Sequence, residues 1–546
     1  MTITSLQANI SPSNSNYQIN QTKNNSQITS SKFSVDSEFI QKYASIAEVI
    51  RQNPELCGHE QKTNQIITAE LEKFIPKYNI YTFGANHENN ENDKHDVDNK
   101  SKYGIIAKID GNKNSSGKAI IITADMDALP NNTDNSINGA AHNCGHNVNM
   151  AGLIAVAEKL VNKQVNFNGS VFLIFTPAEE SGGGFGEMID KGLFEDERFG
   201  LSKYSKDDLK AFTMHNNPKF ATGEIATRSG AFLCGNQDYK INLSTKNQDN
   251  NQNSNYPKTL NIKITGKGGH AGMPHEAKTP IIPMYDIINT LKNFDEYRDI
   301  KVSGINADAG ARNSIPDSAN LSLDVPNHID LDKLQQFIQN AISDYSISFG
   351  VSVKNPNIVN ATTAILSNVF NLVSQKTPAN SSNILTPSYV NAQNDKAEIY
   401  ITTRFFESHL GAKLGDNISS IVQTKASTYD VDFSIDKIKD AYPPTINTPE
   451  LTSKVAQYLT DLSQEIPHSI NKINTNAAQI GGRDGFPFVK HNDKVSEALY
   501  MFIGTGGDDI EQERGLHHPE LIGKAGIYLE RAIPAYLKII SEELKD

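Results

Sequence analysis

Residues 141–160 have the sequence AHNCGHNVNMAGLIAVAEKL, in which Cys144 and His146 precede a predicted helix that ends near Leu160. Just upstream, AIIITADMDALP is a β-branched run that ends in acidic residues including Asp127. Short runs rich in Val, Ile and Phe, bounded by Pro, Gly or Asn, predict buried strands. The alternation of such strands with helices predicts an α/β fold in which helices cover both faces of a mostly parallel sheet.

Further polar residues follow other apolar runs. SVFLIFTPAEE ends in Glu179 and Glu180, LKAFTMHNNP contains His215, and GLHHPE offers His517 and His518. Ligands of open α/β sheets bind in the crevice at the carboxyl ends of the strands, so we expect these side chains to converge there. Neighbouring acids on an irregular loop can diverge, which would let one bind metal while the other acts as general base.

The donor types predict a binuclear metal site. One thiolate, three imidazoles and a carboxylate suit a borderline divalent ion such as Zn, with Mn or Co as alternatives. Five ligands are more than one tetrahedral structural zinc needs, which favours two metals that share a bridging water. Such a pair would polarise a carbonyl and supply hydroxide at neutral pH.

Eight segments, taken in order, resemble a known family. They are RQNPELCGHEQKT, ADMDALP, AHNCGH, FTPAEESGGGFGEMIDKGLF, MHNNP, ITGKGGHAGMPHE, NSIPDSA and GLHHPE. The chain after about Ser34 resembles the metal-dependent amidohydrolases that include hippurate hydrolase, the plant auxin-conjugate hydrolases and related aminoacylases and carboxypeptidases. The resemblance implies a zinc-exopeptidase-like catalytic sheet, an inserted lid, and hydrolysis of the amide bond between an acyl group and an amino acid.

The resemblance also implies roles for individual residues. Its metal ligands match Cys144, His146, Glu180, His215 and His517. The family's general base matches Glu179. The resemblance thus decides which of the two adjacent acids is the base, Glu179, and which is the metal ligand, Glu180. Each pattern has an ordinary alternative, since a lone Cys is usually a small buried hydrophobe and paired acids usually begin a solvated helix. The matched order of all the segments favours the metal site.

Four more residues are predicted to serve the site. Asp127 matches an acid that orients a metal ligand, and His270 matches a histidine that reaches the scissile carbonyl, often across a dimer interface. Asn313, which begins NSIPDSA, is predicted to bind substrate. The family's lid arginine is missing after that motif, so Arg404 is predicted to grip the substrate carboxylate, with a salt-bridged sheet residue as the alternative.

The predicted organisation has four parts. They are a disordered tail at 1–34, a first catalytic part at 35–234, a lid or dimerisation domain at 235–440, and a second catalytic part at 441–546. The lid is predicted as an α+β domain with a four-stranded sheet and two helices, enlarged by an insertion near 321–396.

The sequence departs from the family at several positions near the site. Thr123 replaces an arginine, Asn147 an aspartate, Asn149 a histidine, and Arg483 a glutamate. These changes predict a shifted specificity or a weakened activity.

Composition limits the possible partners. The 546 residues carry a net charge of -12 at pH 7, and no cluster of Lys and Arg indicates nucleic-acid binding. No run approaches the length of a membrane span. Three cysteines, Cys57, Cys144 and Cys234, do not make an even disulfide framework, which favours a reducing compartment such as the cytoplasm.

The sequence therefore predicts a binuclear metal-dependent hydrolase of N-acyl amino acids or dipeptide-like substrates, and a homodimer that forms through the lid. Two other hypotheses remain. One is a metallo-dipeptidase or exopeptidase with the same metals. The other is a catalytically decayed metal-binding or interaction protein on this scaffold, because fold does not fix function.

Overall fold

The structure is a computed structural model. It describes residues 31–83, 101–112, 117–131, 133, 136–245, 258–271, 277–309, 314–352, 357–374, 384–393, 396–438, 441–467, 469–507 and 515–545. Most of the predicted tail at 1–34 lies outside these residues, whereas Phe33, near its end, is buried against the first core. None of the described helices is both long and apolar enough to cross a lipid bilayer.

The described helices and strands follow one another along the chain. The helices are α1 (Ser37–Arg51), α2 (Gln61–Leu71), α3 (His146–Val161), α4 (Glu179–Gly182), α5 (Gly184–Asp190), α6 (Ile281–Asn293), α7 (Leu331–Ala341), α8 (Asn357–Ser374), α9 (Ser408–Thr428), α10 (Pro449–Glu465), α11 (Phe488–His491) and α12 (Ala525–Glu543). The first strands are β1 (Ile80–Thr82), β2 (Ile105–Asp110), β3 (Ala119–Asp125), β4 (Leu129–Pro130), β5 (Ala140–Ala141), β6 (Ser170–Thr176), β7 (Leu209–Ala221), β8 (Glu224–Ala226), β9 (Gly230–Leu233), β10 (Gly235–Thr245) and β11 (Lys258–Thr265). The later strands are β12 (Gly269–His270), β13 (Lys301–Asp308), β14 (Ser314–Ile315), β15 (Ser318–Val325), β16 (Ser346–Ser352), β17 (Ile384–Gln393), β18 (Lys396–Phe405), β19 (Val431–Lys437), β20 (Thr445–Asn447), β21 (Lys472–Asn474) and β22 (Glu497–Gly506).

The first sheet is built from strands of the two segments that the sequence predicts to be catalytic, 35–234 and 441–546. Its strand order is β1-β2-β6-β3-β7-β22-β8-β21, and the four central strands from β6 to β22 run parallel. Every residue of β3 and β6 is buried, as expected for strands covered by helices on both faces. The predicted α/β class with a mostly parallel central sheet is therefore confirmed.

Helix α3 lies at the centre of one covering layer. It contacts α1 and α12, and the three helices pack on the sheet in one hydrophobic core. The helix begins at His146, so this residue belongs to the helix that it was predicted to precede, because Gly145 adopts a left-handed conformation with φ of 84°. His146 therefore lies on the first helical turn, at the carboxyl edge of the sheet.

The second sheet lies in the segment that the sequence predicts to be the lid, 235–440. It has eight strands in the order β16-β11-β15-β13-β17-β18-β10-β19, and each neighbouring pair is antiparallel. The predicted four-stranded lid is thus enlarged within a single sheet. Strand β15 begins next to the predicted insertion but pairs with both β11 and β13, which gives those strands partners for their backbone groups.

The lid contains the same strand arrangement twice. The first lid unit comprises β11, α6, β13, β15, α7 and β16, and the second comprises β10, α8, β17, β18, α9 and β19. If the four strands of each unit are numbered in chain order, both units have the order 4-1-3-2 across the sheet. The second strands of the two units, β13 and β17, pair with each other. The first unit is inserted after the opening strand of the second.

Candidate metal centre

The segment 144–146 is shaped by a glycine in a left-handed conformation that other residues rarely adopt. Gly145 has φ of 84°, and a Cβ there would lie 2.4 Å from side-chain atoms of Asn216. This turn sends Cys144 and His146 toward the same edge of the sheet. His146 Nδ1 lies 2.9 Å from the carbonyl oxygen of Asp127 and 3.4 Å from its Oδ1, so Asp127 orients the imidazole with Nε2 turned away.

The structure brings the five predicted ligands together. Cys144 Sγ lies 3.6 Å from His215 Nε2, and Glu180 Oε1 lies 3.3 Å from His517 Nε2 and 3.9 Å from His146 Nε2. Three sets of donor atoms each fall within 4.8 Å of one another. The sets are Cys144, His146 and His215; Cys144, Glu180 and His517; and His146, Glu179 and Glu180.

This donor set fits a pair of divalent cations. A thiol, imidazoles and carboxylates are the ligands that Zn accepts, and neighbouring sets share residues, as expected where two ions lie close together. The Oε1 atom of Glu179 is buried and accepts no hydrogen bond from the described residues. A buried carboxylate oxygen without a partner is costly unless a cation lies near it.

The pKa shifts of the buried side chains in the absence of metal also favour a cation site. Burial, and then the nearby Glu180 carboxylate, raise the pKa of Glu179 well above its usual value. Burial also raises the pKa of the Cys144 thiol, and it lowers the pKa of His215 to about 3, with His146 contributing. Bound cations would favour the ionised carboxylate and thiolate, because nearby positive charge reverses the effect of burial on an acid.

The loop that carries Glu179 is held from two sides by residues that the sequence analysis did not identify. Ala178 has φ of 55°, an uncommon conformation for a residue other than glycine, and its N–H donates to Glu60 Oε1 at 2.8 Å. The same oxygen accepts from Gly58 N at 2.9 Å. Glu60 is completely buried. It belongs to the segment RQNPELCGHEQKT, which contributes to the family resemblance, but the resemblance gave Glu60 no role.

Tyr442 holds the other side of this loop. Its hydroxyl donates to the carbonyl oxygen of Glu179 at 2.5 Å and accepts from Gly183 N at 2.6 Å. Glu179 begins the short helix α4, where the sequence predicted an irregular loop. The backbone of Glu180 is fixed as well, since its N–H donates to Asp127 Oδ2 at 2.8 Å.

His517 reaches the cluster from near the end of the chain. Its backbone has φ of 69°, and its N–H donates to the carbonyl oxygen of Asn143 at 3.0 Å. Asn143 Nδ2 donates to the carbonyl oxygens of Pro519 and Leu521, both at 3.1 Å, so one amide fixes the segment after His517. His518 turns toward its own loop, where its Nδ1 accepts from Glu520 N.

The cluster opens into a cavity of about 330 Å³. All five predicted ligands and Glu179 line it. The remaining wall is apolar at Phe220, Leu233, Ile480 and Leu516, and polar at Lys219, Gln479, Arg483 and Asp484. The cavity thus offers an acyl-sized apolar surface next to charged groups.

The other predicted substrate contacts lie elsewhere or are not described. Arg404 is completely buried in β18, where it lies beside the Cys234 thiol, and it does not line the cavity. The backbone of His270 pairs with Ser314 between β12 and β14. Asn313 lies outside the described residues. The roles of these three residues stay predictions.

Two of the departures from the family pattern, Thr123 and Asn147, are buried outside the cavity. The carbonyl oxygen of Thr123 accepts from Thr213 Oγ1 at 3.0 Å, and Asn147 Nδ2 donates to the carbonyl oxygen of Ala47 at 3.2 Å. Neither residue lines the cavity. Arg483 is different, because it faces the cavity beside the ligands.

The chain is similar to known hydrolases. The sequence profile of Peptidase family M20/M25/M40 matches residues 121–527. Thermostable carboxypeptidase 2 of Saccharolobus solfataricus is 24% identical over 472 residues, which are 84% of this chain and 85% of the relative. Hippurate hydrolase of Campylobacter jejuni is 28% identical over 296 residues, 52% of this chain and 64% of the relative.

A solved structure has the same fold. It is a dinuclear metal binding peptidase from the M20 family of Bacillus subtilis, with a TM-score of 0.52 and 18% sequence identity. The alignment covers 93% of this chain and 99% of that one. With the profile match spanning most of the sequence, we conclude that the protein belongs to peptidase family M20/M25/M40 and is a metal-dependent hydrolase of carbon–nitrogen bonds.

Proposed function

We propose that this protein uses two divalent metal ions to hydrolyse the amide bond of N-acyl amino acids or related amino-acid conjugates. The observation that carries the proposal is the convergence of the predicted ligands and Glu179 on one cavity. The relative named hippurate hydrolase supports this substrate class.

The residues of the chain divide the chemistry. A bound metal pair supplies Lewis acidity, which polarises the amide carbonyl and acidifies the attacking water. Glu179 accepts a proton from that water and donates it to the leaving nitrogen. Glu60 and Tyr442 keep the Glu179 loop in place, and Asp127 fixes the imidazole of His146.

We also propose the finer properties predicted from the sequence. The thiolate and imidazole donors favour Zn, with Mn or Co as alternatives. The three cysteines, Cys57, Cys144 and Cys234, do not make an even disulfide framework, which favours the cytoplasm. In the described lid sheet β16 and β19 are the edge strands, so a homodimer that extends this sheet would have to pair at one of them.

A carboxypeptidase or dipeptidase activity is the second candidate. It is favoured by the relative named thermostable carboxypeptidase 2, which aligns over 84% of this chain. An exopeptidase of this kind must accept a peptide in place of a simple acyl group. Comparing rates on N-acetyl dipeptides, free dipeptides and N-acyl amino acids separates the two activities.

The test is Glu179→Gln, with Glu187→Gln as the matched control. Glu187 lies on the next helix, where it pairs with Lys191 outside the cavity. We expect Glu179→Gln to lower kcat by about 10²- to 10⁴-fold, as for loss of a general base, while metal content measured by mass spectrometry is retained. Glu187→Gln should keep the wild-type rate. An unchanged rate in Glu179→Gln would favour the decayed-scaffold hypothesis.

A further inference from the structure

Arg483 occupies the wall of the cavity next to the predicted ligands. Its Nη2 donates to the carbonyl oxygen of Glu180 at 2.7 Å, and its Cζ lies 4.3 Å from the ring centroid of Tyr442. The aromatic ring and the carbonyl hold one side of the guanidinium. The side chain is therefore oriented before any substrate enters.

The guanidinium has unused donors. Among the described residues its only hydrogen bond is the one to Glu180, and no described carboxylate forms an ion pair with it. A guanidinium carries five N–H donors in a planar fork that matches the two oxygens of a carboxylate. Nearby acidic groups, among them Glu179 and Glu180, interact with this cation electrostatically without forming an ion pair, which leaves its remaining N–H groups able to bind the carboxylate of a ligand.

The position of Arg483 also fits the geometry of an N-acyl amino acid. The α-carboxylate carbon is separated from the scissile carbonyl carbon by the amide nitrogen and Cα alone, a distance of about 4 Å at most. Arg483 is hydrogen-bonded to the backbone of Glu180, whose carboxylate is a predicted ligand of the metal that would polarise that carbonyl. A carboxylate held by Arg483 would thus leave the amide next to Glu179.

Arg404 is less suited to the same task. It is completely buried, and it lies beside Cys234, whose thiol donates to the carbonyl oxygen of Gly481 at 2.9 Å. Gly481 lines the cavity, so a layer of protein separates Arg404 from the ligand space. A substrate carboxylate would reach Arg404 only if this layer moved.

We propose that Arg483 is the residue that binds the α-carboxylate of the substrate, and that it restricts the enzyme to amides with a free carboxylate one carbon from the scissile nitrogen. This inference rests on the proposed function and specifies it. Arg483 stands where the family resemblance predicts a glutamate. The substrate carboxylate would therefore be bound by a residue of the predicted catalytic part and not by an arginine of the predicted lid.

The test measures binding separately from catalysis. In the Glu179→Gln background, calorimetry gives Kd for N-benzoylglycine and N-acetyl-L-methionine and for the corresponding carboxamides. Arg483→Gln and Arg483→Lys are compared with Arg404→Gln. Arg228→Gln is the matched control, since its Nη1 also donates to a backbone carbonyl, that of Ala477, at 3.1 Å but outside the cavity.

We expect Arg483→Gln to weaken carboxylate binding by about 10- to 100-fold, the usual range for a hydrogen bond to a charged group, and to change carboxamide binding little. Arg483→Lys should recover part of the affinity because it keeps the charge without the fork. Arg228→Gln should match the parent. With Glu179 restored, the Arg483→Gln effect should fall on KM more than on kcat.

Three results would overturn the inference. Equal losses for carboxylates and carboxamides would show that Arg483 only supports the Glu180 backbone. A selective loss in Arg404→Gln alone would assign the carboxylate to the lid. A loss confined to N-acetyl-L-glutamate, measured against N-acetyl-L-glutamine, would assign Arg483 to a side-chain carboxylate. The proposed function fails separately, if the wild-type protein hydrolyses none of these amides.

Discussion

Tyr442→Phe removes the hydroxyl that joins both ends of the Glu179 loop. The tyrosine is 1% exposed, so water does not replace the lost hydroxyl. Gly183 N loses its acceptor at 2.6 Å, and the carbonyl oxygen of Glu179 loses a donor at 2.5 Å. The ring itself stays, with its contacts to Phe488 and Arg483.

The expected cost follows from these bonds. A buried donor left without a partner costs about 1–3 kcal/mol. If the loop relieves this cost by leaving its catalytic position, the populated fraction of the active conformation falls by the corresponding factor. Since about 1.4 kcal/mol is tenfold in rate, we expect kcat to fall by about 5- to 150-fold.

The assay is steady-state kinetics with metal content measured on the same samples, and Tyr458→Phe is the control. Tyr458 OH donates to Glu543 Oε1 at 3.0 Å in another part of the catalytic domain. Both variants should lower resistance to urea, but only Tyr442→Phe should lower kcat. A wild-type kcat in Tyr442→Phe would refute the argument that this hydroxyl positions Glu179.

Two further predictions concern protons. Burial raises the pKa of the Cys144 thiol, so a metal ion must displace its proton on binding. The affinity for the metal, measured with a metal indicator, should therefore rise with pH through neutrality. Cys144→Ser should make this affinity depend less on pH. Burial, and then the charge of Asp127, raise the pKa of Glu60 to about 8 in the folded protein, compared with about 4.5 in the unfolded chain. The protonated carboxyl therefore contributes stability that is fully present below about pH 4.5 and is lost as the pH rises through about 8. Glu60→Gln should therefore show a smaller fall in melting temperature across this range. Glu60→Ala, which removes the acceptor of the buried Ala178 N–H and of the Gly58 N–H, should cost about 1–3 kcal/mol. A wild-type pH slope in Glu60→Gln would contradict the Glu60 assignment.

The central sheet and the ligand cluster could be predicted because their signals are local. Apolar runs such as β3 and β6 are buried along their whole length, and the polar residues after them lie at one edge of the sheet. Glu60, Tyr442 and Asn143 could not be found in this way. Each acts through hydrogen bonds to backbone groups that are distant in the sequence, and such bonds leave no periodic pattern.

The lid was harder to predict for a related reason. Strand β10 alternates buried Tyr239, Ile241 and Leu243 with polar residues, but its partners β18 and β19 lie more than a hundred residues away. Helix α8 lies within the predicted insertion near 321–396, for which bounds but no place in the sheet were predicted from the sequence. The pairing of β13 with β17 depends on both lid units being folded.

The distance along the chain between His215 and His517 has a consequence for biosynthesis. About 300 residues separate them, and a ribosome that adds about 5 to 20 residues per second needs about 15 to 60 s to cover that length. During this time the nascent chain contains the Cys144 thiol but not yet His517, the last of the predicted ligands to be synthesised. Binding of metal by the complete predicted ligand set must follow the synthesis of His517, and an oxidant encountered earlier would meet an unprotected thiol.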